Sequence, residues 1–409
     1  MTCARAIVDD LFRRESAHLV AALARLLGPA HLALAEDVVH DALVSALHAW
    51  RFGAPDDPKA WILQTAKHRA IDLLRRDQRF AVAQPHLARD AEVDLALSPA
   101  ADAENQLAMM FAICDDDLAP ETQITLVLRL LCGFSAAEIA RAFLVDVPTI
   151  DRRLHRGRAR LHARGSLVDV HAAHDVRVRQ PAVEYALYLL FNEGYHGSDA
   201  DNPLQPALCA DALRLVELLL EVEAVVAAST HALAALMCFT AARLATRLDE
   251  DGVLVPLVAQ DRTRWDRALV ARGIVHLGAS AEGDHMTRWH LEAGLAYEHA
   301  IAASVAVTNW RTIVAYYDAL LVVAPGPVVA LNRGLAIAEL EGLDAGYEAL
   351  ADLAADPRLA RYSFYWASLA DLERRRARPA EARPLYERAV TLAKSRAERR
   401  CYERRLREL

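Results

Sequence analysis

The sequence predicts an almost wholly α-helical chain built from more than one domain. Three observations carry that expectation. Alanine, leucine and arginine are abundant, and β-branched runs bounded by turn formers are few. Apolar residues recur at helical spacing through most of the chain. With 409 residues and 54% hydrophobic side chains, the chain is long enough for two to three cores.

A net charge of −8 excludes a globally basic nucleic-acid binder, so any contact with a polyanion must come from local patches. The six cysteines (Cys3, Cys114, Cys132, Cys209, Cys238, Cys401) contain no CxxC pair. Neither a zinc site nor a disulfide framework is expected, which suits a reduced cytosol. The opening MTCARAIVDDLFRRE holds no apolar core of signal-peptide length. No run reaches about 18 uninterrupted apolar residues. A cytoplasmic protein without membrane contact is therefore expected.

Taken in order, Leu11, Leu19, Leu23, Leu26 and Leu27 give residues 8–28 one apolar face, which Gly28-Pro29 ends. A second helix is expected from about Leu32 to Trp50, with Val38, Ala42, Ala46 and Trp50 as its stripe. Glu36, Asp37, His40 and Asp41 gather near its start. Spacing alone favours a solvated acidic face at a helix N-terminus. The functional reading is a docking surface for a basic partner helix. After the turn-rich RFGAPDDP, Asp57 caps a third helix that Pro58 begins. Trp61, Thr65, Ala66 and Ile71 are expected inside. Lys67, His68, Arg69, Arg75, Arg76 and Arg79 add positive charge. Trp50, Phe52 and Trp61 lie around this basic helix. Aromatic faces beside cations suit unpaired bases and their backbone. Core packing is the simpler account of both tryptophans, so Phe52 is the better stacking candidate.

Residues 81–106 carry two prolines and five acids against one arginine, the composition of a linker with little fixed structure. Two helices follow from Gln106 to Cys132, broken at CDDDLAPE. Asp115, Asp116 and Asp117 read as solvated caps far more readily than as a metal site.

The stretch Phe134–Arg164 organises this half. Ser135 and Glu138 form a capping box. Ile139, Ala140 and Phe143 make the apolar side of the helix it opens. That helix stops near Leu144 and Val145, with Leu144 at a turn position where glycine is usual. Asp146 then caps a second helix, with Pro148 in its first turn. The pair is a helix-turn-helix. Val147, Ile150, Leu154 and Leu161 are expected to pack on the first helix. Thr149, Arg152, Arg153, Arg156 and Arg160 fall on the other side. From Arg152 to Arg164 there are six arginines and no acid. Arginine forks pair with guanine edges and phosphates, so this face suits a major groove. A solvated arginine face is the structural alternative, and Asp151 nearby opposes phosphate.

Residues 182–409 read as a series of helices with alanine-rich faces. LNRGLAIAELEGLDAGYEAL overlays WASLADLERRRARPAEARPLYERAV at an offset of 33 to 34 residues. Leu335 then pairs with Leu369, Ala336 with Ala370, and Glu348-Ala349 with Glu381-Ala382. Trp366, Leu369, Ala370, Ala382, Tyr386 and Ala389 occupy tetratricopeptide packing positions. Two copies need upstream helices to complete a stack. YLLFNEGYHGSDADNP carries Glu193, His196, Asp199 and Asp201, but no HExxH and no nucleophile elbow. A loop with capping acids explains it. His276, His285, His290 and His299 fit no metal motif. No catalytic residue, cofactor or metal is assigned.

AEDVVHDALVSALHAW, PKAWILQTAKHRAIDLLRR and FSAAEIARAFLVDVPTIDRRLHRGRARL resemble, in that order, regions 2 and 4 of bacterial extracytoplasmic-function sigma factors. FNEGYHGSDADNPLQPALCADALRL, QDRTRWDRAL, YYDALL and PVVALNRGLAIA resemble the helical, tetratricopeptide-like extension of one subgroup. The resemblance implies an all-α chain with region 2 over residues 8–80 and the acidic linker over 81–106. Region 4 would span 107–165 and the extension 182–409. It implies promoter recognition and transcription initiation, regulated by the chain's own C-terminal helices. Implied partners are promoter DNA and core RNA polymerase, through its β′ clamp helices and β flap, and a protein or peptide ligand of the extension. Asp37, His40 and Asp41 would dock on polymerase. Arg51, Phe52, Lys67, His68, Arg69, Arg75 and Arg76 would capture the minus-ten element. Thr149, Arg152, Arg153, Arg156 and Arg160 would read the minus-thirty-five element, and Asp151 stands where many relatives carry a basic or polar residue. The rival reading is a conventional helix-turn-helix regulator with a repeat sensor domain, which leaves residues 32–80 unexplained.

Overall fold

The computed structural model describes residues 16–27, 31–50, 53–76, 110–111, 113–114, 118–130, 134–143, 145–164, 173–196, 204–222, 225, 227–393 and 395–409. The expected linker and Asp115 to Asp117 lie outside these residues, as do Arg51, Phe52, Asp199 and Asp201. The described residues form α-helices, short 3-10 turns and one isolated antiparallel bridge between Leu248 and Leu254. The chain divides into two compact units: Met1–Leu190 with Arg214–Val225, and Phe191–Leu213 with Val226–Leu409.

The first unit begins with α1 (Ser16–Leu27), α2 (Leu32–Ala49) and α3 (Pro58–Arg76), which pack on one another. The α2 stripe is as the spacing predicts: Val38, Ala42, Ala46 and Trp50 are all buried. Asp57 caps α3, its Oδ1 accepting the Ala60 N–H at 2.9 Å. The inner face of α3 differs from the expectation. Ile62, Leu63, Ala66, Ala70 and Leu74 are buried, while Trp61, Thr65 and Ile71 are only half-buried. The helix is turned toward its larger aliphatic side chains, which remove more apolar surface from water than Thr65 would. Trp61 meets Trp50 edge-on at 5.3 Å.

Next come α4 (Pro120–Leu130), α5 (Ala136–Phe143) and α6 (Val147–Arg164). The capping box forms reciprocally: the Ser135 N–H donates to Glu138 Oε2 at 2.6 Å, and the Glu138 N–H to Ser135 Oγ at 3.2 Å. Asp146 Oδ1 accepts the Thr149 N–H at 3.0 Å and so caps α6. The packing of α6 corrects the expected pattern. It lies against α4 more extensively than against α5. Gly157 is the reason: it is buried, and a Cβ there would stand 2.6 Å from Leu126 Cδ1. Ile150 and Leu154 are buried as expected, but Val147 is exposed because it opens the helix beyond the packed region. The Leu161 side chain lies outside the described residues. The helices α7 (Ala173–His196) and α8 (Pro206–Leu220) contribute residues to both units.

The second unit continues with α9 (Ala227–Ala241), α10 (Arg267–Ser280), α11 (Arg288–Ile301), α12 (Trp310–Val323), α13 (Pro327–Leu340) and α14 (Leu343–Ala351). It ends with α15 (Ser363–Arg375), α16 (Pro379–Leu392) and α17 (Arg396–Arg407). From α10 onward each helix packs on the next, and α13–α14 and α15–α16 are the two overlaid copies. Leu369, Ala370, Ala382, Tyr386 and Ala389 are buried, and Trp366 is half-buried. Two of the histidines make contacts within the scaffold. His290 Nδ1 accepts the Thr287 N–H at 3.1 Å at the start of α11, and His276 faces His231 at 2.9 Å.

Small residues set the helix separation. A Cβ on Gly346 of α14 would lie 2.7 Å from the Cα of Ala338 on α13, a backbone atom that cannot swing aside. Gly346→Ala should therefore destabilise the protein by about 1–3 kcal/mol through overpacking. That exceeds the ~1 kcal/mol by which alanine favours a helix over glycine. A lowered urea midpoint is the expected result, and a raised one would show that α13 and α14 can part without cost.

Candidate nucleic-acid and polymerase interface

The packed side of α6 fixes what its other side presents. With Ile150, Leu154 and Gly157 held inward, the 3.6-residue period turns Arg152, Arg156 and Arg160 to solvent. All three are exposed, and Thr149 and Arg153 are half-buried beside them. Arg152 Nη2 donates to Thr149 Oγ1 at 2.8 Å, which orients the fork near the helix start. The Arg153 guanidinium lies over the Phe143 ring at 5.3 Å, and its Nη1 is buried without a partner. Asp151 is exposed on the same helix. The Thr149 hydroxyl and N–H hold the Asp146 carboxyl below its ordinary range, so the cap is charged at neutral pH. The expected row thus shares one face, open to base edges and phosphates.

Arg158 points elsewhere. Its Nη2 lies 2.5 Å from Glu36 Oε2 on α2, and Arg129 Nη2 of α4 lies 3.5 Å from Glu36 Oε1. One carboxylate thus ties α2 to both α4 and α6. Sequence reasoning grouped Glu36 with the acidic face of α2. Nothing in the local pattern marks a partner 122 residues away.

On α2, Asp37 and His40 are exposed, and Asp41 is half-buried. Asp41 Oδ2 pairs with Arg69 Nη2 of α3 at 3.1 Å, each side chain about half exposed. The expected polymerase-docking face and the expected strand-capturing helix are joined there. His68 and Arg69 are exposed. Lys67 corrects the expected basic row, being only 4% exposed. It lies four residues after Leu63 and three before Ala70, on the inner face of α3, so a nucleic-acid backbone does not reach it in this conformation. Arg75 and Arg76 lie in the last turn of α3, with side chains outside the described residues; Arg51 and Phe52 lie wholly outside them.

Residues 11–80 match sigma-70 region 2, and residues 116–161 match sigma-70 region 4. The chain belongs to the sigma-70 family. It is a sigma factor of the extracytoplasmic-function type, whose role is promoter recognition by RNA polymerase. Such domains imply core RNA polymerase and promoter DNA as partners, and sigma factor families are not enzymes. Residues 179–281 match a family of unknown function, DUF6596. An uncharacterized protein of Rhizobium meliloti (strain 1021) is 32% identical over 376 residues, 90% of this chain and 88% of that protein. No solved structure is a significant match. Among the described residues no helix is long and apolar enough to cross a membrane, and no three His, Cys, Asp or Glu residues are grouped to hold a metal.

The tie at Glu36 is testable in the sigma factor alone. Its partners are partly exposed, so its contribution is about 1 kcal/mol at most. Glu36→Gln should speed amide exchange in α6 by about fivefold at low salt, with a smaller difference at high salt. Exchange unchanged at both salt concentrations would mean the contact holds nothing in place.

Proposed function

We propose that this sigma factor divides promoter recognition among three of its helices. The exposed residues of α2, Asp37 and His40 with Asp41 beside them, dock on the β′ clamp helices, and region 4 meets the β flap. Arg51, Phe52, His68, Arg69, Arg75 and Arg76 capture the opened minus-ten strand. Thr149, Arg152, Arg153, Arg156 and Arg160 read the minus-thirty-five duplex. The observation that carries this reading is the exposed arginine row of α6 set opposite a packed apolar side. Phosphate contacts position such a helix, and a few base contacts specify the sequence.

The proposed division is region 2 over residues 8–80, the linker over 81–106, region 4 over 107–165 and the extension over 182–409. The extension regulates the sigma domains and binds a protein or peptide ligand. The chain works in the cytoplasm and carries no catalysis of its own.

Run-off transcription with core polymerase tests the α6 row. Arg152→Ala and Arg156→Ala should each cost about 1–3 kcal/mol in promoter binding by the holoenzyme, with relaxed preference at the base each one reads. These two are preferred to Arg153, whose loss also removes its contact with Phe143. A uniform loss across promoters would mean phosphate contact only, and no loss would remove α6 from the interface. The regulatory role is tested by truncation after Val225, because residues 214–225 belong to the first unit. Promoter-dependent transcription in cells should change, and unaltered transcription would sink the regulatory role.

A further inference from the structure

Among the described residues, the second unit gathers guanidiniums that pair with no carboxylate. Arg243 and Arg247 lie just after α9, and Arg262 in the segment leading to α10. The Arg243 and Arg247 groups both lie against the ring of Tyr195, 5.6 and 4.4 Å from its centre. Arg247 Nη2 stands 3.2 Å from His196 Nδ1. Among the described residues, none of the three arginines forms an ion pair with an acid.

Arg262 is committed to the protein. Its Nη1 donates to the carbonyls of His299 and Ala302 at 3.0 and 2.8 Å, and its guanidinium lies over Trp265 at 5.2 Å. The other two are not so committed. The Nε of Arg243 and the Nε of Arg247 are buried without a partner. Tyr195 is 2% exposed, and its hydroxyl is also unpartnered. Both arginines are otherwise half-buried, so solvent reaches part of each.

The charges act on one another. Burial lowers the pKa of Arg247; Tyr195 opposes this, and Arg243 adds to it. Burial first, then Arg247 and Arg243, hold His196 down at about 3, although the residue as a whole is exposed. His196 is therefore neutral at physiological pH. Its Nδ1 accepts from Arg247, so the proton is assigned to Nε2, which is left to donate. Crowded cations without counter-charge weaken a fold. Such an arrangement marks a place where a ligand supplies the missing charge.

We propose that Arg243, Arg247, Tyr195 and His196 form a binding site for a small oxyanion, the phosphate or carboxylate group of a soluble ligand. Guanidinium forks match the paired oxygens of either group, and the tyrosine hydroxyl and imidazole N–H add neutral donors. Binding here does not depend on the regulatory reading above, because it is measured on the sigma factor alone.

Calorimetric titration of the full chain at constant ionic strength tests the site, with inorganic phosphate, succinate and chloride as separate probes. Phosphate or succinate should bind saturably and raise the melting temperature, while chloride does neither; which of the two binds more tightly identifies the group. Arg243→Gln and Arg247→Gln should each weaken binding by about tenfold or more. Tyr195→Phe keeps the ring and should weaken it by a smaller factor, with far-UV circular dichroism reporting the fold of each variant. Arg333→Gln, which breaks an exposed pair with Asp318, should leave binding unchanged. The proposal is overturned if neither oxyanion binds, or if Arg247→Gln binds as wild type does. It is equally overturned if binding appears only when Asp199→Asn and Asp201→Asn are combined, for the chain would then neutralise its own arginines.

Discussion

The arginine row of α6 depends on how that helix is held from behind. Gly157 lets α6 lie directly on Leu126 of α4. Ile150 and Leu154 are buried on the same side of the helix. A helix has one period, so a side chain committed inward at these positions commits others outward. Arg152, Arg156 and Arg160 are exposed because of that commitment, not because arginine avoids the interior. A side chain at position 157 would strike the Leu126 methyls, so either that side chain swings aside or the helix shifts and carries the arginines with it. Gly157 thus lets α6 approach α4 closely, with Arg152, Arg156 and Arg160 on the exposed side.

The charges divide into two kinds by partner. Arg69, Arg129 and Arg158 are engaged by Asp41 and Glu36, across α2, α3, α4 and α6. These pairs are partly exposed, so each adds little stability on its own. Their effect is to hold specific helices together and to occupy part of the basic surface. A chain of net charge −8 then meets the phosphate backbone with only the cations left outside such pairs.

Local grammar was the legible part of the sequence. Asp57, Ser135 with Glu138, and Asp146 cap the helices the sequence assigned to them, because a cap needs only residues three positions apart. The α2 stripe and the second repeat copy were legible for the same reason: their periodicity is written in consecutive residues. The rotation of α3 was not. Periodicity fixes an apolar face only to within about one residue, and here the aliphatic set Ile62, Leu63 and Leu74 decided it over Trp61 and Ile71. That same rotation took Lys67 inside. Glu36 shows a different limit, since two arginines that reach it come from helices far along the chain. Gly157 reads as a weak point in a helix until the neighbour at Leu126 is known.

The second unit owes its cohesion to close helix contacts at small residues. Ala338 meets Gly346, and Gly194 lies against Cys209, where a side chain would strike the Cys209 backbone nitrogen at 2.8 Å. Ion pairs also appear where they tether segments: Arg404 reaches Asp249 at 2.7 Å and joins α17 to the turn after α9. Arg262 of the same unit is held by backbone carbonyls instead, whereas the guanidiniums of Arg243 and Arg247 lie around Tyr195 with neither an acid nor a carbonyl as partner among the described residues. Their like charges oppose each other in a half-buried setting, which weakens the fold instead of supporting it. On α6, Arg158 is paired with Glu36, while Arg152 and Arg156 form no ion pair with a carboxylate among the described residues. In both units, then, ion pairs mark arginines that join helices, while Arg262 is structural through backbone carbonyls without an acid, so an unpaired guanidinium is a candidate for an outside anion only where no such carbonyl holds it.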